Sequence, residues 1–175
     1  MQYRHEVKHE ISNLDMLILR QRLRAVMAPD SHAIDGQYEI RSLYFDNPDD
    51  KALREKLDGV SRREKYRIRM YNNDPSVIRL ERKFKCSGLG YKESALLTQA
   101  QACQIAGGDI HWMAASTDEV ILRFYTCLRN EGLAAKVIVD YTREPFVFVP
   151  GNVRVTLDYN IRTALGCTDF LNPDC

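Results

Sequence analysis

Two neighbouring segments carry a charged residue at every second position and indicate the fold: residues 65–71 (KYRIRMY) and residues 77–85 (VIRLERKFK). Side chains alternate between the two faces of a β-strand, so each segment is expected to present one charged and one apolar face. The charged faces comprise Lys65, Arg67 and Arg69, then Arg79, Glu81, Lys83 and Lys85; the apolar faces comprise Tyr66, Ile68 and Met70, then Ile78, Leu80 and Phe84. Because like charges on adjacent strands repel, this concentration predicts an anionic ligand, and a multiply charged phosphate chain is the leading candidate.

The composition indicates one folded domain whose positive charge is local. The chain has 175 residues, of which 45% are hydrophobic and 28% charged, and we expect a single domain over residues 1–175. Its net charge is only +1, although residues 61–85 hold nine Lys or Arg against three Asp or Glu. The whole molecule is therefore not a general polyanion binder, and the pattern favours one concentrated anion site.

The cysteines and the hydropathy pattern give expectations about the cellular compartment of the protein. No CxxC or Cys/His metal spacing is present, and the odd number and scatter of the cysteines predict free thiols in a reducing, cytoplasmic environment. They are Cys86, Cys103, Cys127, Cys167 and Cys175. No apolar run approaches about 18 residues, so neither a signal peptide nor a membrane span is expected.

The rest of the sequence predicts an antiparallel sheet with helices around it. The predicted strands cover residues 3–11, 38–45, the two charged segments, 91–97, 137–149 with an interruption at Pro145, and 153–162. The predicted helices cover residues 12–27, starting at a Ser12/Asp15 capping box, a short stretch after Pro48 with Leu53 and Leu57 buried, 98–106, and 116–132. This order favours an α+β fold, an antiparallel β-barrel of about seven to eight strands with peripheral helices. A closed barrel would turn the cationic faces into a hydrated tunnel.

Two further interpretations of the charge pattern are less favoured. A sheet with one hydrated face also alternates, although such faces usually mix both signs. Nucleic-acid sites usually add exposed aromatic residues for stacking, whereas Tyr66 is expected in the core, and no RNP, KH or zinc-finger pattern is present. No nucleic-acid partner is therefore predicted. No GxxxxGK[ST] loop is present, so any use of ATP is not of the P-loop type.

Five short motifs, in order along the chain, resemble a known family. They are residues 4–8 (RHEVK), 42–46 (SLYFD), 65–69 (KYRIR), 80–83 (LERK) and 141–143 (YTR). The first lies where the CYTH, or triphosphate tunnel metalloenzyme, superfamily carries its ExExK signature. The ordered set resembles the VTC domain, the polyphosphate polymerase branch, over residues 3–172. The resemblance implies an eight-stranded antiparallel tunnel in which the γ-phosphate of ATP is transferred to a growing polyphosphate chain with Mn²⁺ or Mg²⁺.

The resemblance also implies roles for individual residues. The catalytic set that would grip the triphosphate is Arg67, Arg69, Lys83 and Arg143. Phosphate binding is implied for these and for Lys8, Lys92, Tyr141 and Arg154. The implied metal ligands are Glu6, Glu81 and Asp158, of which Glu6 and Glu81 can alternatively balance the cations.

Two departures from the family pattern leave the function open. Arg4 replaces the first Glu of ExExK, and the family's final strand with its Glu-x-Lys pair has no counterpart in this sequence. We therefore expect weakened metal binding and an open sheet edge, which a partner chain, a second copy, a loop or a helix would have to cover. Polyphosphate synthesis, in which a terminal phosphate oxygen attacks ATP, remains the leading hypothesis. Triphosphate hydrolysis and non-catalytic binding of polyphosphate or triphosphate are the alternatives.

Overall fold

A computed structural model describes residues 5–175, in which one antiparallel sheet has helices packed against one of its faces. The strands are β1 (Ala28–Pro29), β2 (Tyr38–Asp46), β3 (Arg63–Tyr71), β4 (Asp74–Cys86), β5 (Leu89–Leu97), β6 (Ala134–Phe148) and β7 (Val153–Leu165). The α-helices are α1 (Asn13–Val26), α2 (Lys51–Leu57), α3 (Gln99–Ala106) and α4 (Glu119–Asn130), with 3₁₀ turns at His111–Ala115 and Val149–Gly151.

The sheet runs in the order β7-β6-β2-β3-β4-β5, and all its pairings are antiparallel. The two-residue strand β1 pairs with the C-terminal end of β6. It lies on the same side of β6 as β2, which pairs with the earlier residues of that strand. The sheet curls into a half-barrel, which confirms the predicted α+β class and the antiparallel sheet with peripheral helices. Within residues 5–175, β5 and β7 each pair on one side only, so the half-barrel is open between them.

The predicted alternation of faces is confirmed in the central strands. Tyr66, Ile68, Met70 and Leu80 are buried in the core beneath α3 and α4. The Tyr66 ring stacks on Phe124 of α4, with 4.7 Å between ring centroids. Tyr66 is therefore a core residue, as expected, and is not available to stack on a base.

Several helix starts and turns are formed by short-range hydrogen bonds and backbone preferences of the local sequence. The Ser12/Asp15 capping box is present at the start of α1, and Thr98 with Gln101 forms a second one at α3. Asn72 and Asn73 make the β3–β4 turn with φ of 52° and 51°, a left-handed conformation that asparagine tolerates better than most residues.

Three predictions about secondary structure are wrong. Of the predicted first strand, residues 5–11 form no strand because no neighbouring strand pairs with them; residues 3 and 4 lie outside the described part of the chain. In α2, Leu53 and Leu57 are 50% and 72% exposed, since no element of the described chain covers that side of the helix. Strand β6 continues through Pro145, whose carbonyl accepts a hydrogen bond from the Asp30 amide at 3.2 Å.

The prediction of free thiols is wrong for two of the five cysteines. Cys167 and Cys175 form a disulfide with Cα atoms 6.1 Å apart, whereas Cys86, Cys103 and Cys127 are free. Arg41 brings the tail back onto the sheet: its guanidinium, only 4% exposed, bonds the backbone carbonyls of residues 172, 173 and 175 and pairs with Asp140 at 2.8 Å. None of the helices within residues 5–175 is long and apolar enough to cross a membrane.

Candidate functional site: a cationic face of the sheet

The face of the sheet opposite the helix-covered core gathers the cations of several strands. Residues directly opposite each other in an antiparallel pair point to the same face, so the strand register defines this surface. We call it the cationic face; its basic residues on β3 to β6 are Arg63, Lys65, Arg67, Arg69, Arg79, Lys83, Lys85, Lys92 and Arg143. The arginines are largely enclosed by the curl of the sheet: the side chain of Arg67 is 16% exposed and that of Arg69 is 4% exposed.

Three lysines lie side by side across this face. Lys65 of β3 pairs in register with Lys83 of β4, which pairs in turn with Lys92 of β5. We call these residues the lysine row. Burial, together with the neighbouring charges of Lys83 and Arg67, lowers the pKa of Lys65. Like charges directly opposite one another destabilise a sheet, so the row is an arrangement that an anion would stabilise.

Beside the lysine row, one carboxylate gathers cations from two neighbouring strands. Glu81 accepts hydrogen bonds from Arg67 Nε at 2.8 Å and from Lys92 Nζ at 2.7 Å. Arg69 Nη1 lies 3.8 Å from the same carboxylate. The Glu81 side chain is only 1% exposed. Burial acts to raise the pKa of Glu81, but the charges of Arg67, Arg69 and Lys92 outweigh it and lower the value to about 2.

The Arg67 and Arg69 guanidiniums are also held by neutral oxygens. Arg67 Nη1 donates to the Tyr44 hydroxyl at 2.9 Å, and Arg69 Nε donates to Ser42 Oγ at 3.0 Å. Ser42 and Tyr44 received no site role from the sequence. Every second side chain of β2 points to this face, and Ser42 and Tyr44 are two of them. The two-residue alternation of residues 38–46 is therefore the sequence signal that would have identified them.

The site extends to β6 and β7 through Tyr141, Arg143 and Asp158. Arg143 binds Asp158 with two parallel hydrogen bonds, each of 2.6 Å, and its guanidinium lies 5.2 Å from the centre of the Tyr141 ring. Burial opposes the charged form of Arg143, but the Asp158 contact dominates and raises its pKa. The structure therefore places Tyr141 and Arg143 on the same face as the β3–β5 cations.

Two predicted phosphate-binding residues lie at the margins. The Lys8 side chain is 79% exposed on the non-strand segment, with Nζ 3.8 Å from Glu6 Oε1. Arg154 is held at the rim, with Nη2 2.7 Å from Asp30 and 2.6 Å from the Tyr38 hydroxyl. Arg82, which lies within the LERK motif, points to the opposite face and binds Glu64 and Glu93.

The three carboxylates expected to hold a metal are engaged by cations. Glu81 binds Arg67 and Lys92, Asp158 binds Arg143 through both oxygens, and Glu6 contacts Lys83. A divalent ion there would have to displace fixed positive charges and then remain beside them, so this arrangement does not fit Glu6, Glu81 and Asp158 as metal ligands.

A different group of metal-compatible atoms lies on the core side. Glu64, Cys127 and Glu131 offer ligand atoms within 4.8 Å of one another. Both carboxylates already form ion pairs: Glu64 binds Arg82, and Glu131 binds Lys51. The sequence did not point to this group, because its members come from β3 and from the end of α4 with no recognisable spacing.

Comparison with known proteins agrees with this geometry. The family model of the VTC domain matches residues 3–171. The chain belongs to the VTC domain family. This confirms the resemblance carried by the five motifs and supports a polyphosphate- or triphosphate-related role for this VTC domain. No curated protein matches the chain in sequence.

The fold of this VTC domain is also found in a solved structure. A Bacillus halodurans protein named as a candidate adenylate cyclase superposes with a TM-score of 0.55 at 14% sequence identity, over 90% of this chain and 70% of the other. At that identity the similarity concerns the fold alone.

Proposed function

We propose that this VTC domain binds linear phosphate chains on its cationic face and transfers the γ-phosphate of ATP to polyphosphate. The observation that carries the proposal is the lysine row beside the Arg67 and Arg69 guanidiniums. The repeating negative charges of a phosphate chain would relieve the repulsion among these cations. Membership of the VTC family supports the phosphate chemistry, and the transfer step is our inference.

The arginines would grip the triphosphate and the lysines would guide the chain. Arg67 and Arg69 have more N–H donors than their contacts with Glu81, Tyr44, Ser42 and Tyr141 use, so each retains donors for phosphate oxygens. Lysines act as point charges on flexible stems, which suits an acceptor or product that must slide. A terminal polyphosphate oxygen would attack the γ-phosphorus, so no side-chain nucleophile is required.

The remaining implied groups would have narrower roles. Arg143, fixed by Asp158, and Tyr141 would contact the phosphate chain at the β6 end of the face. Lys8 and Arg154 would contact it at the margins. We route no step through Mn²⁺ or Mg²⁺, because the predicted carboxylate ligands do not fit a metal in this arrangement.

We also propose that another chain or a second copy covers an outer edge of β5 or β7. Unpaired strand edges invite pairing with another strand unless they are covered. Light scattering of the chain with and without inorganic polyphosphate would measure this. A monomer under both conditions would contradict coverage by a second copy.

One assay separates three functions. Incubation with ATP and Mn²⁺ or Mg²⁺, followed by gel detection of polymer and measurement of orthophosphate, should give long polyphosphate. Orthophosphate alone would instead indicate a hydrolase. Binding of inorganic tripolyphosphate with no turnover would indicate a binding module, the alternative that the cation-paired state of Glu6, Glu81 and Asp158 favours.

A further inference from the structure

Glu81 is the acidic residue around which the basic residues of the cationic face are arranged. It lies opposite Arg67 in the β3–β4 register and opposite Ser94 in the β4–β5 register, on the strand next to the edge strand β5. One oxygen accepts from Arg67, with Nη2 at 2.6 Å, and the other accepts from Lys92. Its carboxylate therefore links side chains from three adjacent strands.

Removal of this charge would leave a cluster of cations that repel one another. Arg69 lies directly opposite Arg79, and Lys83 lies directly opposite both Lys65 and Lys92. With Arg69 nearly buried, solvent screens these repulsions weakly. A fixed anion at Glu81 allows Arg67, Arg69 and Lys92 to remain close together on one side of the sheet.

We propose that Glu81 is a positioning residue that holds Arg67, Arg69 and Lys92 in the arrangement that receives a phosphate chain, and that it is not a ligand of a divalent metal. The proposal rests on the function proposed above. A metal on Glu81 would share the carboxylate with two directly bonded cations and lie close to a third. A phosphate chain would contact the same cations on the cationic face, and its negative charges would attract them.

The first test is calorimetric titration of the full chain with inorganic tripolyphosphate in EDTA. We expect Glu81→Gln, which keeps the shape and removes the charge, to weaken binding about tenfold, which corresponds to about 1.4 kcal/mol. The matched control is Glu93→Gln. Its carboxylate binds Arg82 at 2.8 Å on the opposite face of the sheet, and its removal should leave the affinity unchanged.

The possible results are distinct. Tighter binding by Glu81→Gln would overturn the proposal, because it would show that Glu81 competes with phosphate for the cations. Unchanged binding would overturn it as well. Failure of the wild-type chain to bind tripolyphosphate would contradict the proposed function itself, whereas binding that is insensitive to Glu81 would contradict only the positioning role.

The second test needs no variant, so it holds even if Glu81→Gln fails to fold. Mn²⁺ alone is added to the isotope-labelled wild-type chain, and paramagnetic broadening of the backbone amide signals is recorded by NMR. The signals of β4 around Glu81 should remain sharp. Selective broadening there would show that Glu81 binds the metal and would overturn the proposal.

Discussion

Arg69 Nη2 of β3 donates a 2.8 Å hydrogen bond to the Tyr141 hydroxyl of β6, although β2 lies between these two strands. The small side chain of Ser42 on β2 makes this reach possible and accepts a second hydrogen bond from Arg69. Because the Tyr141 oxygen accepts from Arg69, its own hydrogen remains available to donate. The curl of the sheet thus joins strands that are not neighbours into one continuous cationic face.

Tyr141→Phe tests that surface. Burial raises the pKa of Tyr141, so its hydroxyl stays protonated and can donate to a phosphate oxygen at neutral pH. Loss of the hydroxyl should weaken tripolyphosphate binding by about 0.5–1.5 kcal/mol in calorimetry. Tyr125→Phe on α4, on the other side of the sheet, is the control. Equal affinity of the Tyr141 variant and the wild type would remove Tyr141 from the site.

Arg67→Ala and Lys83→Ala test the central cations. Each should reduce tripolyphosphate affinity by about 1–3 kcal/mol, the range for the loss of a charge-assisted contact. Arg129→Ala, in the exposed last turn of α4, controls for a general loss of positive charge. Unchanged binding in both cationic-face variants would reject the assignment of phosphate binding to β3 and β4.

Glu6→Gln should act in the opposite direction. Glu6 contacts Lys83 Nζ from the segment before α1 and so occupies a cation that phosphate would use. Its removal should strengthen tripolyphosphate binding by up to about 1 kcal/mol, the range for a partly exposed ion pair. The affinity is compared with that of Glu10→Gln on the same segment. A weaker complex of the Glu6 variant would indicate that Glu6 assists the ligand.

The stability of the folded chain should depend on the ionisation of Glu81. Its pKa is about 2 in the folded state against 4.5 for an ordinary glutamate, so the unfolded state takes up the proton first as the pH falls. The stabilisation is complete above about pH 5 and is lost towards pH 2, to an extent of about 3 kcal/mol. Urea unfolding at pH 6 and pH 3 should show this loss in the wild type and a smaller one in Glu81→Gln. Equal losses in the two chains would contradict the assignment.

Ile68→Ala tests the opposite face of β3. Ile68 is fully buried among the core residues, so its truncation should lower the free energy of unfolding by about 2–5 kcal/mol. Leu96→Ala, at a side chain that is 65% exposed on β5, should change it little. Urea denaturation measures both. A small effect at Ile68 would argue against the assignment of faces along β3.

Much of this molecule follows from local rules that act along the chain. The two-residue alternation at residues 65–71 and 77–85 depends only on strand geometry, and it correctly separated Arg67 and Arg69 from Tyr66 and Ile68. The Ser12 cap is likewise a short-range hydrogen-bond preference, and the sequence predicted it. The Thr98 cap and the Asn72-Asn73 turn follow the same kind of local preference.

Contacts between distant residues were decided only by the tertiary structure. The sequence placed Glu81 among cations, but only the register of β3, β4 and β5 determined that it binds Arg67 and Lys92 and is poorly placed to bind a metal. The return of the tail onto Arg41 likewise depends on a contact between remote segments. Such contacts arise from the packing of whole elements, a property that no short window of sequence encodes.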